Sequence, residues 1–179
     1  MSNIISPEIK EASKLTSEEW KEWTKTVWSI ANISDSIHPA VYPPEIPYRL
    51  IRMFSFVGET VLDPFSGMAT TGRVALQNNR SYIGFETNPV YHNESLRRLG
   101  ESVLPENGYD CRYEVSNSSS CDMSHIKENS VGIVVTSPPY WNKADYGEYD
   151  GNIGGFEYYD DFLGELQKVF AECYRVLKP

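Results

Sequence analysis

The sequence has no long hydrophobic run and contains little cysteine or histidine. No apolar stretch approaches the ~20 residues needed to span a bilayer, and the polar segment from Met1 to Lys14 lacks the apolar core of a secretory signal peptide. The three cysteines are odd in number and lack metal-ligand spacing, and the three histidines form no cluster. We therefore predict a cytoplasmic, globular protein with reduced thiols and no bound metal.

A basic run of the kind that grips nucleic acid is also missing. Residues 1–100 carry 10 lysines and arginines against 11 acidic residues, and residues 101–179 carry 6 against 14. The formal net charge is −9 at pH 7. Because duplex-binding proteins normally neutralise phosphates with a basic face, we do not expect the main surface for a nucleic acid among these residues.

The most informative segment is a turn with two prolines that follows a predicted buried strand. The apolar run Val131 to Val135 predicts the strand, and Thr136-Ser137-Pro138-Pro139-Tyr140-Trp141 comes next. Ligands of open α/β sheets bind at the carboxyl ends of strands. Ser137 and the Pro138 carbonyl could accept the hydrogens of an amino group on a planar base, and Tyr140 could stack on its ring. The alternative is a Pro-Pro turn that merely ends a strand.

A second candidate site lies upstream. The predicted order is strand, small-residue turn, helix and strand, over Thr60 to Phe65, Ser66 to Gly72, Arg73 to Asn79 and Ser81 to Glu86. Small residues let a ligand approach the backbone, and the start of a helix offers free N–H groups. Glu86 follows Asp63 by 23 residues, the spacing at which an acid meets ribose hydroxyls in a nucleotide-binding βαβ unit. The alternative for Glu86, considered without the neighbouring elements, is a solvent-exposed carboxylate at the end of a strand.

The remaining pattern predicts one α/β domain with a parallel sheet and flanking helices. Further strands are predicted at Cys111 to Val115 and Val131 to Val135, and Asn142 to Gly155 indicates an exposed loop. Further helices are predicted after a capping box at Thr16, over Tyr48 to Phe56, through Tyr91 to Leu99, and over Tyr158 to Leu177. We expect Trp20, Trp23 and Val27 to face the core. The predicted domain is 1–179, with a helical segment over about 1–57.

Three motifs together resemble those of S-adenosylmethionine-dependent DNA amino-methyltransferases. Asp63 to Thr71 resembles the cofactor motif of that family, and Ser137-Pro138-Pro139-Tyr140 resembles its catalytic motif. His38-Pro39-Ala40-Val41-Tyr42-Pro43 is similar to the segment that helps to hold the methionine end of the cofactor. The motifs follow the order of one circular arrangement of the family, and the resemblance runs from about Trp28 to the last residue.

The resemblance implies a Rossmann-like fold and methyl transfer from S-adenosyl-L-methionine to the exocyclic amine of a flipped DNA base, as in restriction-modification. Serine at the first catalytic position is more typical of N4-cytosine enzymes than of N6-adenine enzymes. The catalytic residues so implied are Ser137, Pro138, Pro139 and Tyr140. The cofactor-binding residues so implied are Tyr42, Asp63, Pro64, Phe65, Ser66, Gly67, Ala69, Thr70, Thr71, Glu86 and Asp122.

Two positions depart from the family's pattern. The family usually has glycine where this chain has Ala69, so either the alanine is strained at positive φ or the turn takes a conformation that alanine allows. The family also usually has an acid after the third strand, facing the adenine ring. Here the expected place falls near Asn117 to Ser119, and Asp122 is the nearest acid. A cofactor-binding partner subunit without catalysis is therefore an alternative to an enzyme.

Only four strands are predicted, and the family has strands and a target-recognition region beyond the last predicted helix. Four parallel strands would leave a long unpaired edge. We therefore expect either a fragment, or a second polypeptide that completes the sheet and supplies a basic surface for DNA. In that case the isolated chain would be inactive.

Overall fold

Four parallel strands form a single sheet at the centre of the molecule. The computed structural model describes residues 5–35, 41–102, 109–143, 146, 147, 149 and 151–179. The strands are β1 (Thr60–Asp63), β2 (Ser81–Phe85), β3 (Tyr113–Ser116) and β4 (Ile133–Val134), and their order in the sheet is β3-β2-β1-β4. All three pairings are parallel. This arrangement confirms the predicted Rossmann-like α/β fold.

Six α-helices accompany the sheet in the described residues. They are α1 (Pro7–Ala12), α2 (Ser17–Trp23), α3 (Glu45–Phe54), α4 (Thr70–Gln77), α5 (Pro89–Gly100) and α6 (Tyr159–Val176). The predicted capping box starts α2, where the Thr16 hydroxyl accepts from the Glu19 amide and the Glu19 carboxylate accepts from the Thr16 amide. Single 3₁₀ turns lie at Trp141–Lys143 and Ile153–Gly155. No described helix is long and apolar enough to cross a membrane.

The two faces of the sheet bury separate cores, because successive strand residues point to opposite sides. Val61 and Tyr82 belong to a core cluster with residues of α3, α4 and α5. Leu62 and Phe85 belong to a second cluster with residues of α6. Helices therefore cover both faces, and the carboxyl ends of the strands are left to form a site.

The fourth strand is shorter than predicted. The sheet ladder with β1 covers Ile133 and Val134 only. Val131 instead forms a parallel bridge with Leu177 on the other side, where Lys178 donates its amide hydrogen to the Val131 carbonyl at 2.9 Å. The chain after α6 thus returns to the outer edge of β4, a pairing that the sequence pattern did not predict.

The prediction for the tryptophan-rich helix α2 is correct for one residue and wrong for two. Trp23 is buried and packs edge-on against Tyr48, with ring centroids 5.4 Å apart. Trp20 is 54% exposed and Val27 is 77% exposed. The helix ends at Trp23, so Val27 does not continue its face.

Candidate functional site

One cavity at the carboxyl ends of the strands brings the two predicted motifs together. Its empty space, with the open mouth included, is about 870 Å³. The predicted site residues on its wall are Tyr42, Pro64, Phe65, Ser66, Gly67, Thr70, Glu86, Ser137 and Pro139. Residues far apart in sequence meet here because parallel strands end at the same edge.

A left-handed turn connects β1 to α4 and shapes one wall. Gly67 has φ +51° and Ala69 has φ +59° with ψ +40°. Ala69 therefore takes the strained alternative of the two that the sequence left open, at a cost of ~1–2 kcal/mol for a residue with a Cβ. The Ala69 side chain is fully buried, in the core beside α4, and it does not reach the cavity wall.

Glu86, just after β2, closes this turn. Its Oε2 accepts the Gly67 amide hydrogen and its Oε1 accepts the Asn88 amide hydrogen, both at 2.8 Å. Burial raises the pKa of the Glu86 carboxyl to about 7, against the lowering effect of these amide donors. Each oxygen keeps a further lone pair, so the carboxylate can still accept hydroxyl hydrogens from the cavity.

Asp63, at the end of β1, lies behind the wall instead of on it. Its carboxylate is 1% exposed and accepts from three donors: the Thr136 hydroxyl at 2.7 Å, the Thr71 hydroxyl at 2.7 Å and the Phe65 amide at 3.1 Å. Burial raises the pKa of Asp63 to about 6, although these bonds oppose the shift. The carboxylate organises the turn and does not line the cavity.

Tyr42 reaches the same network from the cavity wall. Its hydroxyl bonds to the Thr71 hydroxyl, which itself donates to Asp63, so Tyr42 is the donor. Burial raises the pKa of Tyr42, and the neighbouring Asp63 carboxylate adds to the shift. Thr71 is fully buried between the two. The His38, Pro39 and Ala40 part of this predicted motif lies outside the described residues.

The proline turn after β4 forms the opposite side of the cavity. Ser137 and Pro139 are on the wall, whereas Pro138 and Tyr140 are not. The Tyr140 ring is 54% exposed, and its hydroxyl lies 3.2 Å from the Ser137 hydroxyl. The Tyr140 amide donates to the Tyr146 hydroxyl at 3.2 Å. The turn therefore offers a hydroxyl to the cavity and an open aromatic face beside it.

The prediction that Asp122 contacts the cofactor is not supported by the structure. Its exposed carboxylate accepts from the Ser124 amide at 2.9 Å and does not line the cavity. The wall after β3 is built instead from Ser118, Ser119, Ser120 and Cys121. Asn117 fixes this segment by donating to the Glu86 carbonyl at 2.7 Å.

Sequence reasoning missed part of the wall. Asn142 to Gly155 was predicted as an exposed loop, yet its described residues contribute Tyr146, Tyr149, Gly151, Asn152 and Ile153 to the cavity. A Cβ on Gly151 would come within 3.1 Å of the Thr87 side chain, so the loop packs closely on the segment after β2. The tyrosines in a glycine-rich loop were the available signal, since aromatic residues bury large apolar areas.

Comparison with known proteins finds a matching family and related sequences. A sequence model of the family described as DNA methylase matches residues 2–97 and 131–179. The chain is 43% identical over 84 residues to the type II methyltransferase M.MjaI of Methanocaldococcus jannaschii. It is 45% identical over 62 residues to the DNA adenine methyltransferase YhdJ of Escherichia coli K12. These alignments cover 44% and 35% of this chain.

The chain spans a minor part of these relatives: the alignments cover 27% of M.MjaI and 21% of YhdJ. Among solved structures, one from Methanococcus maripaludis, described as an S-adenosyl-L-methionine-dependent methyltransferase, superposes with a TM-score of 0.51 at 18% identity. That superposition covers 75% of this chain and 50% of the other. At this identity it supports the fold alone.

Proposed function

The chain belongs to the DNA methylase family, and from that premise we propose that it binds S-adenosyl-L-methionine and transfers a methyl group to the exocyclic amine of a DNA base. The observation that carries the proposal is the shared cavity. The cofactor-like turn, with Glu86 and Tyr42, and the catalytic-like turn, with Ser137 and Pro139, form walls of one space. A donor and an acceptor bound at these walls would meet inside it, and we place this reaction in the cytoplasm.

The polar groups on the wall suit S-adenosyl-L-methionine. The Glu86 carboxylate has lone pairs left to accept ribose hydroxyl hydrogens, and Tyr42, on the same wall, would lie near the methionine end, the role that the family resemblance implies. The turn from Pro64 to Gly67 brings the backbone close, while Phe65 and Phe85 add apolar surface. When bound, the cofactor supplies a methyl group already activated on a positively charged sulfur, which a cavity carrying the Glu86 carboxylate favours.

The catalytic turn would act on a base taken out of the duplex. Extruding a base costs a few kcal/mol, and the exposed Tyr140 ring could repay part of it by stacking. The Ser137 hydroxyl and the Pro138 carbonyl would accept the amine hydrogens. Holding them there would favour a pyramidal nitrogen with an available lone pair, and one of the two hydrogens would leave as a proton to solvent as the methyl group takes its place. The chain itself contributes positioning and electrostatics and forms no covalent intermediate.

Cytosine N4 is the preferred target in this proposal, because serine occupies the first catalytic position. Adenine N6 is the second candidate, and the 45% identity to a DNA adenine methyltransferase favours it. A non-catalytic, cofactor-binding subunit is the third. This third candidate predicts a different result from the two enzymes: the subunit would bind the cofactor, but removing the Ser137 hydroxyl would have no effect on its function.

The experiment is methylation of DNA by the full enzyme, meaning this chain together with the strands and recognition region that complete it. The methylated bases in the product are identified by mass spectrometry. We expect N4-methylcytosine, and we expect Ser137→Ala to lower the single-turnover rate while cofactor affinity stays nearly unchanged. Ser130→Ala, which removes a hydroxyl bonded to the Lys127 carbonyl, is the matched control. A product that contains only N6-methyladenine would contradict the proposed preference for cytosine. Full activity in Ser137→Ala would contradict the role assigned to that hydroxyl.

DNA and a second polypeptide are the partners in this proposal. The outer edge of β4 carries no paired strand beyond Val131 among the described residues. The acidic composition of residues 101–179 offers no counter-charge for phosphates. We propose that further strands and a basic recognition region pair beside β4, supplied either by a second polypeptide or by a longer form of this chain.

A further inference from the structure

A line of hydrogen bonds runs behind the cavity and connects its two sides. It begins with the Tyr42 hydroxyl on the wall, which donates to Thr71. Thr71 donates to one oxygen of Asp63, and Thr136 donates to the other, both at 2.7 Å. Thr136 directly precedes Ser137. The line therefore joins the side proposed for the cofactor to the side proposed for the base.

The chemistry of Asp63 gives this line a direction. An ionised carboxylate accepts hydrogen bonds and donates none, so both threonine hydroxyls must point toward it. Bonds to a charged acceptor are shorter and stronger than neutral ones, and here the acceptor is buried. Tyr42, Thr71, Asp63 and Thr136 thus form one contiguous set of hydrogen bonds.

The catalytic turn contains two prolines, so side-chain hydrogen bonds must hold it where backbone hydrogen bonds cannot. The Val135 amide donates to the Leu62 carbonyl at 3.0 Å, which still ties this chain to β1. Pro138 and Pro139 have no N–H group with which to continue the ladder. The Thr136 hydroxyl lies between these two stretches and fixes the start of the turn to β1 through Asp63.

We propose that Thr136 is a positioning residue: through Asp63 it holds the catalytic turn in register with the cofactor cavity, so that a ligand beside Tyr42 orders the turn that carries Ser137. The inference rests on the proposed function, because it takes S-adenosyl-L-methionine as that ligand. It assigns to Asp63 a role in coupling, in place of contact with the cofactor.

The test is hydrogen–deuterium exchange of the peptide from Thr136 to Trp141, with and without S-adenosyl-L-methionine, in the full enzyme. In the wild type, the cofactor should slow exchange in this peptide. Thr136→Val, which keeps the shape and removes the hydroxyl, should bind the cofactor with nearly unchanged affinity and lose this protection. Its single-turnover rate at saturating cofactor should fall by ~10-fold or more, as expected for loss of a hydrogen bond to a charged group.

Two further variants make the result specific. Thr136→Ser restores the hydroxyl and should restore both protection and rate, which a purely structural role for the methyl group would not predict. Thr136→Ala leaves room for a water on Asp63, so it serves as the test variant should the valine methyl group beside the carboxylate prevent Thr136→Val from folding, and it should show the same uncoupling. Cofactor protection equal to the wild type in either folded variant would overturn the inference alone. Absence of cofactor binding by the wild type would overturn the proposed function and the inference together.

Discussion

Single residues of the site were predictable where an unusual residue type follows directly on a strand. Ser137 and Glu86 each stand at a strand end in the sequence, and parallel pairing is enough to bring such ends to one edge. Asp122 does not line the cavity, because its position depends on how residues 117–121 turn after β3. Asp63 was recognised as a site residue, but a sequence shows neither its burial nor its three donors.

Glu86 is the residue whose removal should most directly weaken cofactor binding. We expect Glu86→Ala to lose a charge-assisted hydrogen bond, worth ~1.5–3 kcal/mol, or roughly 10- to 150-fold in the dissociation constant. Calorimetric titration of the full enzyme with S-adenosyl-L-methionine measures this. Glu101→Ala is the control, because Glu101, which directly follows α5, is an exposed carboxylate paired with Arg97 at 2.7 Å.

The same residue predicts how affinity depends on pH. The pKa of Glu86 is raised to about 7 by burial, so below pH 7 the carboxyl carries a proton that must leave before it can accept ribose hydroxyls. Affinity should therefore rise as pH increases from 6 to 8, and Glu86→Gln should flatten this rise. If Glu86→Ala bound the cofactor with wild-type affinity, the ribose hydroxyls would have to be bound at another place.

At the scale of elements, the sequence placed the four strands and five of the helices in the right order but did not predict α1, and the other errors lie at the ends of elements. The predicted start of α3 at Tyr48 is late, since the helix begins at Glu45. The predicted end of β1 at Phe65 is also late, since the strand ends at Asp63. Such limits depend on tertiary hydrogen bonds, for example the Ser66 amide donating to the Phe85 carbonyl at 2.8 Å.

Helix α4 packs on β2 at Gly72, where there is no room for a Cβ atom. We therefore expect Gly72→Ala to lower stability, in contrast to Gly→Ala at a helical position with open space. A Cβ on Gly72 would lie 2.5 Å from the buried ring of Tyr82, whose hydroxyl is held by Ser66 at 2.8 Å. We expect Gly72→Ala to destabilise the protein by ~1–3 kcal/mol through overpacking, and to weaken cofactor binding by shifting Ser66.

Gly164 on α6 provides the matched control, because a Cβ there meets no atom within 4 Å. Gly164→Ala should stabilise the protein by ~0.5–1 kcal/mol through helix propensity alone. Thermal unfolding of the two variants beside the wild type measures both. If Gly72→Ala also raised the midpoint, the close packing of α4 on Tyr82 would not hold in solution.

On the scale of the whole molecule, the fold class was predictable because turn residues and apolar runs alternate regularly. The return of the chain to β4 was not, since Leu177 and Lys178 carry no strand pattern of their own. Their pairing with Val131 shows that the outer side of β4 accepts a parallel neighbour. Further protein paired at this edge, with a basic face for DNA, is our proposal for how the sheet continues.

We therefore predict that the isolated 179 residues have little or no methyltransferase activity, and that a second polypeptide restores it. The partner should carry the remaining strands, pair beside β4, and be basic where it faces DNA, because the −9 charge of this chain repels phosphates. Size-exclusion chromatography and methyl-transfer assays, with and without the partner, are the measurements. A complex formed with Ser137→Ala should assemble and stay impaired in catalysis, which separates assembly from chemistry. Robust, sequence-specific methylation by the purified chain as a monomer would contradict the need for a partner.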